Sequence, residues 1–146
     1  MMKSTTHIML VEDNEGDIVL AKEAFRQSKI KNILSVFEDG QKAIDFFKNY
    51  LAAEVKNFEL PDLIMLDINL PKVDGKAVLK EIKTNPEFSK IPVVIFSTSN
   101  AASDIDYAYA NCANCYVMKP IDLDDYMQAI KEIESFWFKT VQLPTS

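Results

Sequence analysis

Glycine is scarce in this chain: Gly16, Gly40 and Gly75 are the only three in 146 residues. That excludes the glycine-rich turns with which P-loop and dinucleotide-binding folds wrap a phosphate in backbone N–H groups. Histidine is scarcer still, with His7 alone. Two cysteines, Cys112 and Cys115, form a C-x-x-C, but a zinc site needs about four ligands and His7 lies far off in a predicted strand. The pair falls late in a predicted helix and in the strand after it, not at a helix N-terminus, where a thiolate is favoured. Neither zinc nor redox chemistry is expected there. No apolar run approaches the roughly 20 residues of a membrane span, and the N-terminal residues lack the apolar segment of a signal peptide. A cytoplasmic location away from the membrane is the expectation. Basic residues are outnumbered, 16 against 22 acidic, for a net charge of −6. Such a surface does not favour nucleic acid. It accommodates a cation, or a partner with a basic face.

What the chain does have is a regular alternation of strand and helix signals. Continuous apolar runs suited to strands covered on both faces occur at His7 to Val11, Leu34 to Phe37, Asp62 to Ile68, Ile91 to Phe96 and Cys115 to Met118. Between them lie segments of helical periodicity. The first is capped by Asn14 or Asp17 and runs through Ser28. The second runs from Gln41 to about Val55, and the third from Lys76 to Lys83. The fourth is capped by Ser99, Asn100 or Ser103 and reaches about Ala110. The fifth is capped by Asp122, with Leu123, Met127, Ile130, Ile133 and Trp137 along one stripe. Five strands alternating with five helices predict an α/β fold, a doubly wound parallel sheet with helices on both faces. A single domain over residues 1–146 is expected. Successive helical residues are about 100° apart. The run Phe136-Trp137-Phe138 therefore cannot share one face, and Phe136 or Phe138 should point outward unless the helix stops early.

Chemistry-bearing residues fall at the ends of these strands. The first ends in Glu12-Asp13, the third in Asp67, the fourth in Ser97-Thr98 and the fifth in Lys119-Pro120. In an open parallel sheet the C-terminal strand edge is where ligands bind. Three carboxylates and one ammonium leave two negative charges, which a divalent cation would cancel. Carboxylates, a backbone carbonyl such as that of Asn69, and waters suit Mg²⁺, and no Cys or His is close enough to favour zinc. Mg²⁺ beside an ammonium and a hydroxyl handles phosphate. Without a glycine cradle no bound nucleotide is implied, and a carboxylate that itself accepts a phosphoryl group fits.

The ordered set Val11-Glu12-Asp13-Asn14, Asp67 with Pro71 and Asp74-Gly75, Ser97, and Tyr116 before Lys119-Pro120 resembles the response-regulator receiver domains of two-component signalling. The resemblance covers about residues 6–134, leaving 135–146 as a C-terminal extension. It implies a flavodoxin-like sheet in the order 2-1-3-4-5. It also implies Asp67 as phosphoacceptor and Glu12, Asp13, Asp67 and the Asn69 carbonyl as Mg²⁺ ligands. Ser97 and Lys119 would hold the phosphoryl group, and Ser97 and Tyr116 would act as the switch. Pro71, Asp74, Gly75 and Pro120 would shape the turns. Glu12 stands where Asp is commoner, and its longer arm would reach the metal directly. Ser97 stands where Thr is common, and the hydroxyl is kept. Ser97-Thr98-Ser99 and the Phe136-Trp137 tail further resemble single-domain regulators paired with phytochrome-type histidine kinases.

The implied protein is not an enzyme but a phosphoacceptor that assists its own phosphorylation and dephosphorylation. Its partners would be a sensor histidine kinase or phosphotransfer protein, and a downstream protein target. A homodimer could form through the fourth helix, fifth strand and fifth helix, or through the aromatic tail. About a dozen residues follow Glu134, too few for a DNA-binding module, so output through another protein is expected. Two other readings share the fold. A Mg²⁺-dependent phosphatase of the haloacid-dehalogenase type would use Asp67 as nucleophile, but it wants a second Asp where this chain has Asn69. A flavin binder would meet its phosphate with Glu12-Asp13-Asn14-Glu15, which would repel it.

Overall fold

A computed structural model describes residues 5–54, 59–140 and 143–144. Strand β1 (Thr6–Val11) leads to α1 (Glu15–Arg26), β2 (Asn32–Phe37), α2 (Gly40–Ala52), β3 (Leu63–Leu66), α3 (Gly75–Thr84), β4 (Val93–Ser97), α4 (Ala102–Ala110), β5 (Cys115–Met118) and α5 (Leu123–Ser135). A π-helical turn, Phe136–Thr140, continues α5. The five strands form one parallel sheet in the order β2-β1-β3-β4-β5.

The sheet is buried on both faces because alternate side chains point opposite ways. Met9, Val11, Ile64, Leu66 and Ile95 pack with Phe47, Val78, Leu79, Ile82 and Phe88 on the side of α2 and α3. Ile8, Leu10, Leu63, Met65, Val94 and Phe96 pack with Ala21, Phe25, Tyr126, Ile130, Ile133 and Trp137 on the side of α1 and α5. This explains the unbroken apolar runs in β1, β3 and β4.

Several boundaries differ from the sequence reading. Asn14 caps α1, accepting from Asp17 N–H at 2.9 Å, so Asp17 lies inside the first turn. Helix α2, capped by Asp39, begins at Gly40, one residue earlier than expected. That helix ends at Ala52, and Val55 lies outside the described residues. None of the three side chains proposed for α4 caps it. Its N-cap is Ala101, without a side-chain bond, so Ser99 and Asn100 precede the cap and Ser103 lies inside the first turn. Ser99 Oγ is turned to Asp104 Oδ2 at 2.5 Å. On α5 the buried stripe is Tyr126, Ile130, Ile133 and Trp137. Leu123, the first helical residue, is exposed at the end of the helix, beyond that stripe. In the tail, Trp137 is buried and Phe136 is 51% exposed. Phe138 is half-buried against the α1–α5 side of the core. No helix among the described residues is long and apolar enough to cross a membrane.

Candidate functional site

Backbone hydrogen bonds carry the sheet one step past its strand ends and place the functional residues there. Glu12 N–H donates to Phe37 O at 3.0 Å, Asp67 N–H to Val11 O at 3.1 Å, and Lys119 N–H to Ser97 O at 2.8 Å. Each functional side chain is thus anchored by the neighbouring strand rather than by a loop of its own.

The turn after Asp67 is shaped by close approach. Gly75 N–H donates to Ile68 O at 2.9 Å, and Asp74 caps α3 through Lys76 N–H at 2.6 Å. A Cβ on Gly75 would lie 2.0 Å from Asp67 O and 2.7 Å from Ile68 Cα. Glycine is therefore required by contact with the Asp67 backbone. Freedom to adopt φ > 0 is not the reason, since no glycine has positive φ; the left-handed residue of this turn is Lys72, at φ 65°. Pro71 contributes its carbonyl to Gly40 N–H at 3.5 Å, and Pro120 is half-buried beside Lys119.

At the strand edge, Glu12, Asp13 and Asp67 each present a carboxylate oxygen within 4.8 Å of the others. Glu12 and Asp67 are buried and Asp13 is exposed. Three hard oxygens on one open rim fit a divalent cation such as Mg²⁺. Asn69 is exposed beside them, its N–H donating to Asp67 Oδ1 at 3.2 Å. Glu12 is heavily engaged within the protein. Its Oε2 accepts from the N–H groups of Asp13 and Asn14 at 3.0 and 3.2 Å, and its Oε1 contacts Lys119 Nζ.

Lys119 is the hub. Its side chain is only 4% exposed, and its ammonium meets Glu12 Oε1, Asp67 Oδ2 at 2.9 Å and Asp17 Oδ2 at 2.9 Å. An ammonium has three N–H donors, and all three are committed. Burial raises the Glu12 carboxyl, and because the hydrogen bond from Lys119 offsets only part of that, it stands at about 7. Burial alone would lower the Lys119 ammonium, but its bonds to Glu12 and Asp67 prevail and hold it above its ordinary value. Lys119 therefore stays charged at neutral pH.

Asp17 was not foreseen as part of this cluster. In sequence it reads as a helix cap. It lies in the first turn of α1, an ordinary place for an acid, and no local spacing in the sequence marks it as a partner of Lys119. With Asp17 the cluster holds four carboxylates against one ammonium, one charge more negative than the strand tips alone indicated.

Ser97 is fully buried at the end of β4, where its Oγ accepts from Ser99 N–H at 3.2 Å. Tyr116 lies half-buried against the α2–α3 side of the core. Its hydroxyl donates to Ser99 O at 2.8 Å, and its N–H donates to Tyr109 OH at 3.1 Å. Residue 99 thus links the buried serine to the tyrosine. Lys76 braces the same segment through Asp104 at 2.6 Å, and Asp104 in turn holds Ser99. Cys112 and Cys115 are both free thiols, away from this edge.

The fold recurs in known proteins. A family model described as the response regulator receiver domain matches residues 8–131. The chain is 42% identical over 139 residues to the response regulator Rcp1 of Synechocystis, covering 95% of this chain and 93% of that protein. The structure is similar to the Mn²⁺-bound form of response regulator Rcp1, with a TM-score of 0.88 and 41% identity over 96% of this chain and 99% of that one. It is also similar to the phosphorylated cyanobacterial phytochrome response regulator RcpA, with a TM-score of 0.90 and 42% identity over 97% and 99% of the two chains. The chain belongs to the response regulator receiver domain family of two-component signalling.

Proposed function

We propose that the protein accepts a phosphoryl group on Asp67 from a phosphohistidine of a histidine kinase or phosphotransfer protein. The observation that carries this reading is the set of three carboxylate contacts around Lys119, which places a fixed cation 2.9 Å from Asp67 Oδ2. A carboxylate oxygen of Asp67 forms a bond to phosphorus as the phosphorus–nitrogen bond of the donor breaks, and the imidazole keeps that electron pair. Transfer of this kind needs mostly positioning and electrostatic stabilisation. Asp67 is positioned by its backbone bond to Val11 and by Asn69 N–H. A Mg²⁺ ion held by Glu12, Asp13 and Asp67 with the Asn69 carbonyl would neutralise charge on the transferring group. Lys119 supplies a second, permanent positive charge beside Asp67.

The product carries roughly −2 where Asp67 carried −1. Ser97 offers its hydroxyl proton to the new oxygens by turning its Oγ, the acceptor for Ser99 N–H, toward them. The Ser99 segment also holds Tyr116, so the change reaches α4 and β5. The face formed by α4, β5 and α5 exposes Tyr109, Met118 and Leu123, and Ile121 projects from the turn before α5. This is a surface on which a protein partner, or a second copy of the chain, could read the state. The reading makes the domain a signalling acceptor rather than a turnover enzyme. The identity to RcpA, described as a phytochrome response regulator, supports a phytochrome-type kinase as donor.

Phosphotransfer profiling tests it. Candidate histidine kinases loaded with radiolabelled phosphate are mixed with the protein and Mg²⁺, and rapid transfer is expected from a small subset. Transfer that persists undiminished in Asp67→Asn would contradict the reading.

A further inference from the structure

We infer that Asp17 is the exchangeable partner of Lys119, holding the ammonium while Asp67 is unmodified and giving up its place to a phosphoryl oxygen afterwards. This rests on the phosphoacceptor reading of Asp67. Lys119 has no N–H to spare, since Glu12, Asp67 and Asp17 each take one. A phosphoryl oxygen can gain a bond from Lys119 only by displacing or sharing one of them.

The three carboxylates do not leave equally well. Glu12 and Asp67 have side chains 2% and 10% exposed, while Asp17 is 23% exposed. A carboxylate that is released into water regains its hydration, whereas one left buried without a partner is costly. Glu12 also accepts two backbone N–H groups and cannot turn away. Of the two carboxylates that stay unmodified, Asp17 is the one that can leave. Its backbone stays put when it does, because its N–H is held by Asn14 Oδ1 at 2.9 Å and its carbonyl accepts from Tyr126 OH at 3.2 Å. Exchange therefore needs only a side-chain rotation on the first turn of α1.

The sign of the effect separates exchange from a supporting role. Asp17 and Asp67 bind the same nitrogen at 2.9 Å each, so their oxygens lie within about 6 Å of one another. Asp17→Asn keeps the size and removes the competing charge. At saturating Mg²⁺ it should tighten binding of beryllofluoride, an analogue of the phosphoryl group. The expected gain is about fivefold, as for one unit charge at about 6 Å and an effective dielectric constant near 60. Glu15→Gln removes an equal charge from an exposed neighbour in the same turn and should change binding less than twofold.

Calorimetric titration of the wild type and both variants gives the affinities. Carbon-13 NMR of the Asp17 carboxylate in the wild type gives a readout independent of affinity. On saturation with beryllofluoride that signal should move toward the position of a solvated aspartate. Tighter binding by Asp17→Asn alone, with the moved signal, supports exchange. Unchanged or weaker binding by Asp17→Asn, equal tightening by Glu15→Gln, or an unmoved Asp17 signal overturns it. A wild type that binds no beryllofluoride would instead overturn the assignment of Asp67, and the exchange with it.

Discussion

Replacing Lys119 with methionine keeps most of the apolar stem and deletes the charge on which three carboxylates rely. Glu12 and Asp67 are both buried and both contact the ammonium. Removing one partner of a buried ion pair costs about 3–5 kcal/mol, because the other charge stays uncompensated. In a domain of this size each kcal/mol lowers Tm by about 2–4 °C, so a fall of roughly 10 °C is expected without metal. Two levers should reduce the loss. The first is pH. Burial raises the Glu12 carboxyl and Lys119 pulls it down, for a net value of about 7; without Lys119 it rises further. At pH 6 Glu12 takes up a proton in the folded variant, and the loss should be smaller than at pH 8. The second is Mg²⁺, which replaces the missing charge. A ligand at 100 times its Kd adds about 2.7 kcal/mol to the folded state, enough to recover much of the deficit. The assay is urea unfolding at pH 6 and pH 8, with EDTA or with Mg²⁺. A loss below about 1 kcal/mol in EDTA at pH 8, with no dependence on pH or Mg²⁺, would refute the view that this cluster depends on its lysine.

Gly75→Ala should be among the most damaging single-methyl changes, since the new Cβ would meet backbone atoms of Asp67 and Ile68 at 2.0–2.8 Å. A loss of about 3 kcal/mol in urea unfolding is expected, at the upper end for overpacking, together with shifted amide NMR signals for Asp67 and Ile68. Mg²⁺ binding should be proton-linked through Glu12. Its carboxyl is raised from 4.5 to about 7, so each ion bound below pH 7 must displace a proton. Apparent affinity should fall by up to about tenfold per pH unit below 7 and level off above it, as read by titration calorimetry at several pH values. The same shift has the opposite sense in the metal-free protein. The stability associated with Glu12 is greatest below pH 4.5 and is lost as pH rises toward 7, which urea unfolding in EDTA would show.

The strand tips were legible because a carboxylate at the end of an unbroken apolar strand has no packing role. Glu12, Asp67 and Lys119 are brought together as that argument required. The five parallel strands followed from the alternation of segments, whereas their order came with the family resemblance, since periodicity says nothing about which strands are neighbours. What escaped the sequence are contacts that local pattern does not encode. Asp17 occupies an ordinary first-turn position for an acid, and only the fold turns it to Lys119. Gly75 reads as a turn glycine, and only the path of α3 against Asp67 shows that space is its reason. The start of α4 offered three capping side chains. The helix uses none of them: it starts at Ala102 behind Ala101, so Ser99 and Asn100 precede the cap, and Ser103 lies inside the first turn. Leu123 fits the helical period, yet at the first residue of α5 it lies beyond the buried stripe.

The central claim is that Asp67 carries the phosphoryl group. Intact-mass spectrometry after incubation with acetyl phosphate and Mg²⁺, in the wild type and in Asp67→Asn, tests it most directly. The wild type should gain one phosphoryl mass, lose it when Mg²⁺ is withheld by EDTA from the start, and show none in Asp67→Asn. Equal labelling of Asp67→Asn at another residue would contradict the account.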